Sequence, residues 1–342
     1  MKKVLFATTA LIATAGMAAA DIKLSGYGRF GLDYNSGNDG APANTTTAGT
    51  VSDAPETSIT SRLRLQVDMS TETDGGVGFN ARVRMQSESR DNNPGLSAGN
   101  DGDNGFNGAR FGVTYGGLTV NVGNIIGAVE NAPGLYTTGT RSAGTGIDGM
   151  GFKSVAIKGG SFDAYTSDGM GANGIEALYS VGGFTGHISY SEARDTYTDN
   201  GSGTGSAVLA TTGEDRTGVM VTYSFADYYV TAAAQSSSTA ANDVQFVAAG
   251  GDFGAFGARI AYGSTDAADS ITLEGNMDIG AASNLLVWVN DADYTLTTDA
   301  NDGTSFGINY QYDLGGGATL VAGYVDGADD SEQFQAGVYF SF

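Results

Sequence analysis

Arginines at alternate positions are the residues whose type and spacing suggest a chemical role. Arg62 and Arg64 are separated by one residue, as are Arg82 and Arg84, and Arg29 lies in an earlier segment of similar pattern. Residues two apart lie on the same face of a β-strand, so each pair would present two permanent positive charges to one side of a sheet. Such a surface can orient dipolar solutes and penalise apolar ones, and it carries no nucleophile. We call these five arginines the basic wall.

Acidic residues that could face the basic wall lie in the longest irregular stretch of the chain, 124–173. The principal candidates are Glu130 and Asp148, with Asp163 and Asp168 as weaker ones. One pair of opposite charges about 10 Å apart is worth only roughly 0.4 kcal/mol in water. Several pairs in a low-dielectric wall reach a few times thermal energy. The residues therefore predict a transverse field that screens solutes by size and polarity.

Signals for catalysis are weak. The single histidine, His187, is predicted to line the interior, and no nucleophile or acid can be placed beside it from sequence. Gly144, Gly146 and Gly149 match the spacing of a dinucleotide fingerprint, but no strand and helix flank them. We therefore predict that the chain is not an enzyme and has no catalytic residue, no cofactor and no assigned metal site.

Acidic clusters in the predicted loops are interpreted as solvated loop tips, and a shared Ca²⁺ or Mg²⁺ ion is the alternative. The clusters are Asp291 and Asp293, Asp299 and Asp302, and Asp326, Asp329 and Asp330.

The elements that must position the arginines are strands. Segments such as Ile59–Met69 alternate apolar and polar residues almost without interruption. About sixteen such segments follow one another, joined alternately by seven tight turns and eight longer loops. A further pair of strands around Phe152–Ile157 would give eighteen. Sequential antiparallel strands of this number can close into an up-and-down barrel. The segment Leu285–Asp291 has apolar residues at both parities, so its facing is ambiguous.

The energetic cost of a buried charge decides which face meets lipid. An arginine facing lipid at mid-bilayer costs about 2–4 kcal/mol, so Arg62 and Arg64 must face inward. Leu63, Leu65 and Val67 must then face lipid. An interior this wide cannot be filled by side chains, and water fills it. The predicted fold is an all-β, closed antiparallel transmembrane barrel with an inward-folded third loop at 124–173. A soluble β-sandwich with arginines on its solvent face is the alternative.

The first residues predict export. Lys2 and Lys3 precede an apolar stretch and Ala18–Ala20, so 1–20 is predicted to be a cleaved signal peptide and 21–342 a single barrel domain. Without the two lysines, 14 basic residues remain against 38 acidic ones, a net charge of −24. This acidity argues against nucleic acid as a partner. Cysteine is absent from the sequence, which excludes a disulfide-stapled scaffold.

The final strand, Glu332–Phe342, places Phe334, Val338, Phe340 and Phe342 at outward parity. Phe342 is therefore predicted to lie at the lipid interface.

Three segments resemble the general porins of alphaproteobacteria, of the Rhodobacter type. They are Asp21–Leu32 (DIKLSGYGRFGL), Tyr312–Gly323 (YDLGGGATLVAG) and Val338–Phe342 (VYFSF). The resemblance implies a sixteen-stranded, homotrimeric barrel in the Gram-negative outer membrane, whose third loop forms an eyelet. It implies that Arg29, Arg62, Arg64, Arg82 and Arg84 face Glu130 and Asp148 across this constriction. It also implies contact with outer-membrane lipid and lipopolysaccharide, and makes Phe342 part of the signal read by the barrel-assembly machinery.

The function expected from these features is passive diffusion of small hydrophilic solutes and ions through a water-filled channel. Two alternatives stay open. A substrate-specific outer-membrane channel would show aromatic or basic tracks along its lumen. A non-conducting structural or adhesin barrel would have a plugged lumen.

Overall fold

The computed structural model describes residues 20–38, 55–90, 106–136, 156–167, 169–199, 207–296 and 298–342. Within these ranges the chain forms eighteen β-strands and two short 3-10 turns, Ser36–Asn38 and Ala240–Asn242. The strands are β1 (Asp21–Asn35), β2 (Thr57–Glu72), β3 (Gly78–Arg90), β4 (Arg110–Tyr115), β5 (Leu118–Asn124), β6 (Asn173–Val181), β7 (Phe184–Glu192), β8 (Thr196–Asp199), β9 (Ala207–Thr211), β10 (Asp215–Phe225), β11 (Tyr228–Ser237), β12 (Val244–Phe253), β13 (Phe256–Thr265), β14 (Ala268–Ile279), β15 (Ser283–Tyr294), β16 (Gly303–Gly315), β17 (Ala318–Asp326) and β18 (Glu332–Ser341). In the part of the chain that the structure describes, no helix is long and apolar enough to cross a membrane.

Sixteen of the described strands form one closed antiparallel barrel. Each pairs with its neighbour in sequence, and β1 closes the ring by pairing with β18. β7 pairs directly with β10, so β8 and β9 form a separate two-stranded hairpin in the connection between them. The prediction of a closed barrel with sixteen strands is confirmed. The sequence did not predict the hairpin, and the described residues Ala156 and Ile157 of the suggested extra pair are not in a strand.

The side chains of the barrel have the reverse of the usual distribution between inside and surface. On β1, Arg29 is 3% exposed whereas its neighbour Phe30 is 53% exposed. The same alternation continues through β10–β17, where outward residues are apolar and exposed and inward residues are mostly polar and buried. A soluble barrel would expose its polar face instead. The predicted facing of the strands therefore agrees with the structure.

The tight turns gather at one end of the barrel, and glycine makes the shortest of them possible. Gly116 and Gly117 join β4 to β5 with φ of 54° and 85°. A two-residue turn with positive φ at both positions matches the twist of the flanking strands. Aromatic rings that are exposed or half-buried follow the same end of the barrel in a chain of contacts with centroid distances of 4.4 to 5.7 Å: Phe184, Tyr223, Phe225, Tyr228 and Phe253. Such a girdle is typical of a membrane–water interface.

Strand β15, whose facing the sequence left ambiguous, has apolar residues on both sides. Leu286 and Trp288 point inward, where they pack with Val325 of β17. Val287 and Val289 are exposed on the outside. Trp288 lies against Gly307 of β16, where a Cβ atom would approach its ring to 2.5 Å. The inner apolar residues thus contact protein within the barrel.

Candidate functional site

The third long loop connects β5 to β6 and runs from 125 to 172, because Asn124 ends β5 and Asn173 begins β6. Its described parts are an outgoing limb, 125–136, and a return limb, 156–167 with 169–172. The residues that bound the predicted stretch, Asn124 and Asn173, are thus the last residue of β5 and the first residue of β6. Asp148 and Asp168 lie outside the described residues.

The loop packs against the inside of the barrel through an apolar cluster. Val129 and Leu135 of the outgoing limb and Ile157 of the return limb are almost completely buried there. The wall supplies inward side chains from β10, β11, β12 and β13: Met220, Ala233, Val244, Phe246, Ala248 and Ala261. Burying one such large side chain is worth about 1.5–3 kcal/mol. These strands lie about half-way round the ring from β1–β4, so the apolar cluster holds this part of the loop on the side opposite the basic wall.

Polar contacts fix the far end of the loop to β13 and β14. Arg259 of β13 donates one hydrogen bond to the carbonyl oxygen of Tyr136 at 2.9 Å and another to that of Gly134. The same guanidinium pairs with Glu274 of β14 at 2.6 Å, and both side chains are buried. Ser270 of β14 donates to the carbonyl oxygen of Ala156 at 2.5 Å.

The return limb is held by β10 and β11, near the ends of these strands that lie away from their tight turn. Arg216 of β10 pairs with Asp163 at 3.3 Å and with Glu214 at 2.7 Å. Gln235 of β11 donates to the carbonyl oxygen of Ser161 at 2.9 Å. Together these contacts fasten the loop along the wall on both of its limbs.

The structure brings the five arginines of the basic wall together on β1, β2 and β3. Arg29 is directly opposite Arg62 in the strand register. Polar and aromatic wall residues separate the guanidinium groups. Arg64 donates to Gln86 at 2.8 Å, and its guanidinium lies 5.1 Å from the centre of the Tyr27 ring.

An acid within the wall itself neutralises part of this charge. Asp68 of β2 pairs with Arg82 of β3 at 2.5 Å. Gln66 connects the two strands, because it donates to Asp68 at 2.6 Å and accepts from Arg84 at 2.7 Å. Arg110 of β4 lies opposite Arg82 in the register and extends the basic surface by one strand.

The side chain of Glu130, on the outgoing limb, connects the two limbs of the loop. Its carboxylate accepts the backbone N–H of Tyr165 at 2.7 Å and the hydroxyl of Tyr136 at 3.3 Å. Burial raises the pKa of Glu130 to about 7, although these hydrogen bonds and the charge of Arg84 act in the opposite direction. Glu130 therefore binds its own loop, and Asp163, a weaker candidate, pairs with Arg216 on β10 instead of the basic wall.

Tyr165 and Ser167 bring the return limb to the arginines: Ser167 accepts from Arg84 at 3.5 Å, and Tyr165 contacts two of them through its ring. Its ring centre lies 4.5 Å from the guanidinium of Arg84 and 5.2 Å from that of Arg110. Its hydroxyl donates to the carbonyl oxygen of Arg82 at 3.4 Å. An arginine over an aromatic face is stabilised by about 0.5–2 kcal/mol.

Comparison with known proteins identifies the family. The model of the Gram-negative porin family matches residues 7–332. The chain belongs to the Gram-negative porin family. A porin of Fuscovulum blasticum is 29% identical over 336 residues, which cover 94% of this chain and 100% of the relative.

Solved porin structures have the same fold. Two mutants of the Rh. blastica porin align with TM-scores of 0.71 at 26% and 28% identity. A chain from work on asymmetric conductivity of engineered proteins aligns with a TM-score of 0.69 at 27% identity. In all three, the alignment covers 94% of this chain and 100% of the other. The resemblance predicted from the sequence is confirmed.

Several residues that hold the porin loop were not predicted. Arg259, Glu274 and Arg216 have inward parity, so the argument that placed Arg62 inside the barrel applies to them equally. Apolar residues at inward parity, such as Met220 and Phe246, were a second available signal. They break the polar pattern of the lumen at the strands that the loop covers.

The acidic clusters of the loops were predicted to be solvated tips, with a shared cation as the alternative. Among the described residues, no group of three or more His, Cys, Asp or Glu side chains could hold a metal ion. Asp329 instead accepts hydrogen bonds from the backbone and hydroxyl of Ser331.

Proposed function

We propose that this porin forms a water-filled channel in the Gram-negative outer membrane for passive diffusion of small hydrophilic solutes and ions. One observation carries the proposal: sixteen strands close around a mostly polar, inward-facing surface and expose apolar side chains on the outside. A barrel of this strand number encloses an aqueous channel. The third loop narrows this channel, and the basic wall makes it weakly selective.

Further parts of the proposal concern export and assembly. Residues 1–20 act as a cleaved signal peptide, and the mature barrel assembles as a homotrimer in contact with outer-membrane lipid and lipopolysaccharide. Phe342 contributes to recognition by the barrel-assembly machinery. Its exposure of 59% and its backbone pairing with Gly26 are compatible with a lipid-facing position at the end of β18.

A substrate-specific channel is the second candidate, and one aromatic feature favours it. Tyr27 and Tyr339 stack at the basic wall with ring centres 5.0 Å apart, and Arg62 donates to the Tyr27 hydroxyl at 3.5 Å. A stacked aromatic pair beside arginines could retain a planar, anionic solute.

Planar-bilayer recording separates the two candidates. General diffusion predicts large conductance steps that rise with salt concentration without saturation. Saturation or blockade by one class of solute would favour the specific channel. Silence from protein shown to be folded would contradict both.

A further inference from the structure

The root of the third loop is bound by a buried carboxylate that no sequence signal singled out. Glu176 of β6 is 1% exposed. Its Oε2 accepts the backbone N–H groups of Ile126 at 3.1 Å and Gly127 at 3.0 Å. Ser189 of β7 accepts the next N–H group, that of Ala128, at 3.0 Å. Three successive backbone donors of the outgoing limb are therefore bound by two side chains of the wall.

The same carboxylate is surrounded by polar and basic groups from the neighbouring strands. Asn121 of β5 donates to its Oε1 at 2.8 Å, and Nε2 of His187 of β7 lies 3.2 Å from its Oε2. Arg110 of β4 approaches Oε1 at 3.8 Å. Arg110 also lies over the Tyr165 ring of the return limb. Glu176 thus connects the outgoing limb, the wall and the cation that contacts the return limb.

We propose that Glu176 is the positioning residue that fixes where the third loop leaves the wall and how far it enters the lumen. The inference rests on the proposed channel function, because it concerns the element that narrows the channel. Consecutive backbone N–H groups form a concave site for an anion, and a carboxylate in such a site makes charge-assisted hydrogen bonds. The loop supplies this site, and Glu176 occupies it from the wall.

A carboxylate suits this position because the Asn121 amide and the Ile126 and Gly127 N–H groups all donate to it. A glutamine would offer one acceptor oxygen, and its NH₂ group would face either Asn121 or the two loop N–H groups. The loop has little freedom to readjust. Gly127 has a φ of 85°, and a Cβ atom there would lie 2.6 Å from the Cβ of Asp163 on the return limb.

Hydrogen exchange at the loop root tests the proposal in the folded porin. Glu176→Gln is expected to speed exchange of the Ile126 and Gly127 amides by on the order of tenfold or more. Asp33→Asn is the matched control, since Asp33 is also a buried, inward-facing acid, located on β1, where it accepts from Gln335 at 2.9 Å. The control is expected to leave these amides unchanged. Unchanged exchange in Glu176→Gln would overturn the proposal.

A milder variant keeps the test decisive if Glu176→Gln does not fold. Ser189→Ala removes only the acceptor for the Ala128 amide, so faster exchange is expected at that amide and less change at its two neighbours. Unchanged exchange at Ala128 would contradict the arrangement.

Bilayer recordings add a readout that a general loss of stability would not produce. Glu176→Gln channels should show greater open-channel current fluctuation than wild-type or Asp33→Asn channels, and equal fluctuation would contradict the positioning role. Absence of conductance in the wild-type protein would refute the channel, while the exchange measurement would still test the role of Glu176 in holding the loop.

Discussion

Replacement of Arg259 by methionine should release the far end of the third loop. Arg259 is 3% exposed and makes two kinds of contact. It donates to the loop carbonyl groups of Gly134 and Tyr136, and it pairs with Glu274. Methionine retains most of the length of the side chain and removes every donor. The variant therefore separates the polar contacts of Arg259 from its volume.

The expected magnitude has two parts. Removing one partner of a buried ion pair costs about 3–5 kcal/mol, because the remaining charge stays buried. Leaving a buried carbonyl group without its donor costs about 1–3 kcal/mol. The first part destabilises β13 and β14 of the barrel, whereas the second acts on the loop. A double variant, Arg259→Met with Glu274→Met, also removes the unpaired buried charge. It should therefore recover most of the barrel stability that the single variant loses, but not the hydrogen bonds to the loop.

Two measurements distinguish these parts. Urea unfolding of the barrel in liposomes should show a clear loss of stability for the single variant and a near-recovery for the double variant. Amide exchange at Leu135 and Tyr136 should be faster than wild type in both variants, since neither has a donor for the loop. The reasoning is refuted if the double variant restores protection of the loop, or if loop exchange is unchanged in both.

Three further predictions concern the channel. Neutralising four of the five arginines of the basic wall should shift the cation-to-anion permeability ratio toward cations by roughly tenfold or more, since each charge is worth about 0.4 kcal/mol at about 10 Å in water and acts in opposite directions on a cation and an anion; an unchanged reversal potential would contradict the role of the wall. The residues to replace with glutamine are Arg62, Arg64, Arg82 and Arg84. Glu130 has a pKa raised by burial to about 7, so its protonated form favours the packed loop, and this stabilisation is lost as the pH rises from about 4.5 to about 7. In the folded channel the Glu130 carboxyl ionises around its raised pKa, so cation selectivity should rise as the pH passes through about 7, and Glu130→Gln should abolish the dependence; a pH profile that Glu130→Gln leaves unaltered would exclude Glu130 as its source. Deleting Phe342 removes two backbone hydrogen bonds with Gly26, of 2.9 and 3.0 Å, and an exposed aromatic ring. Insertion yield should fall while the conductance of inserted channels stays normal, and full yield would argue against the assembly role.

The barrel could be predicted from the sequence because its determinants are local. Strand alternation has a period of two, and a polar face beside an apolar one is legible within a segment such as Ile59–Met69. The antiparallel order then follows from the short connections. The facing of β15 could not be predicted, because Leu286 and Trp288 are apolar residues that point inward and contact Val325, which is distant in sequence.

The path of the loop depends on contacts that no segment reveals by itself. Arg259 and Gly134 are 125 residues apart, and Glu176 and Gly127 are 49 apart. Glu176 is a single acid between two apolar residues, and its partner Asn121 becomes evident only when β5 and β6 are aligned. Strand alternation alone therefore predicted that the arginines of the basic wall face inward. It could not predict which side chains hold the third loop.

Liposome swelling with sugars of graded size tests most directly whether this porin is an aqueous channel narrowed by its third loop. Folded wild-type protein should admit small sugars at rates that fall steeply with solute size, and the Arg259→Met and Glu176→Gln variants should show a weaker dependence on size. Absence of swelling with folded protein would contradict the channel. Equal size dependence in wild type and both variants would contradict the role given to the loop.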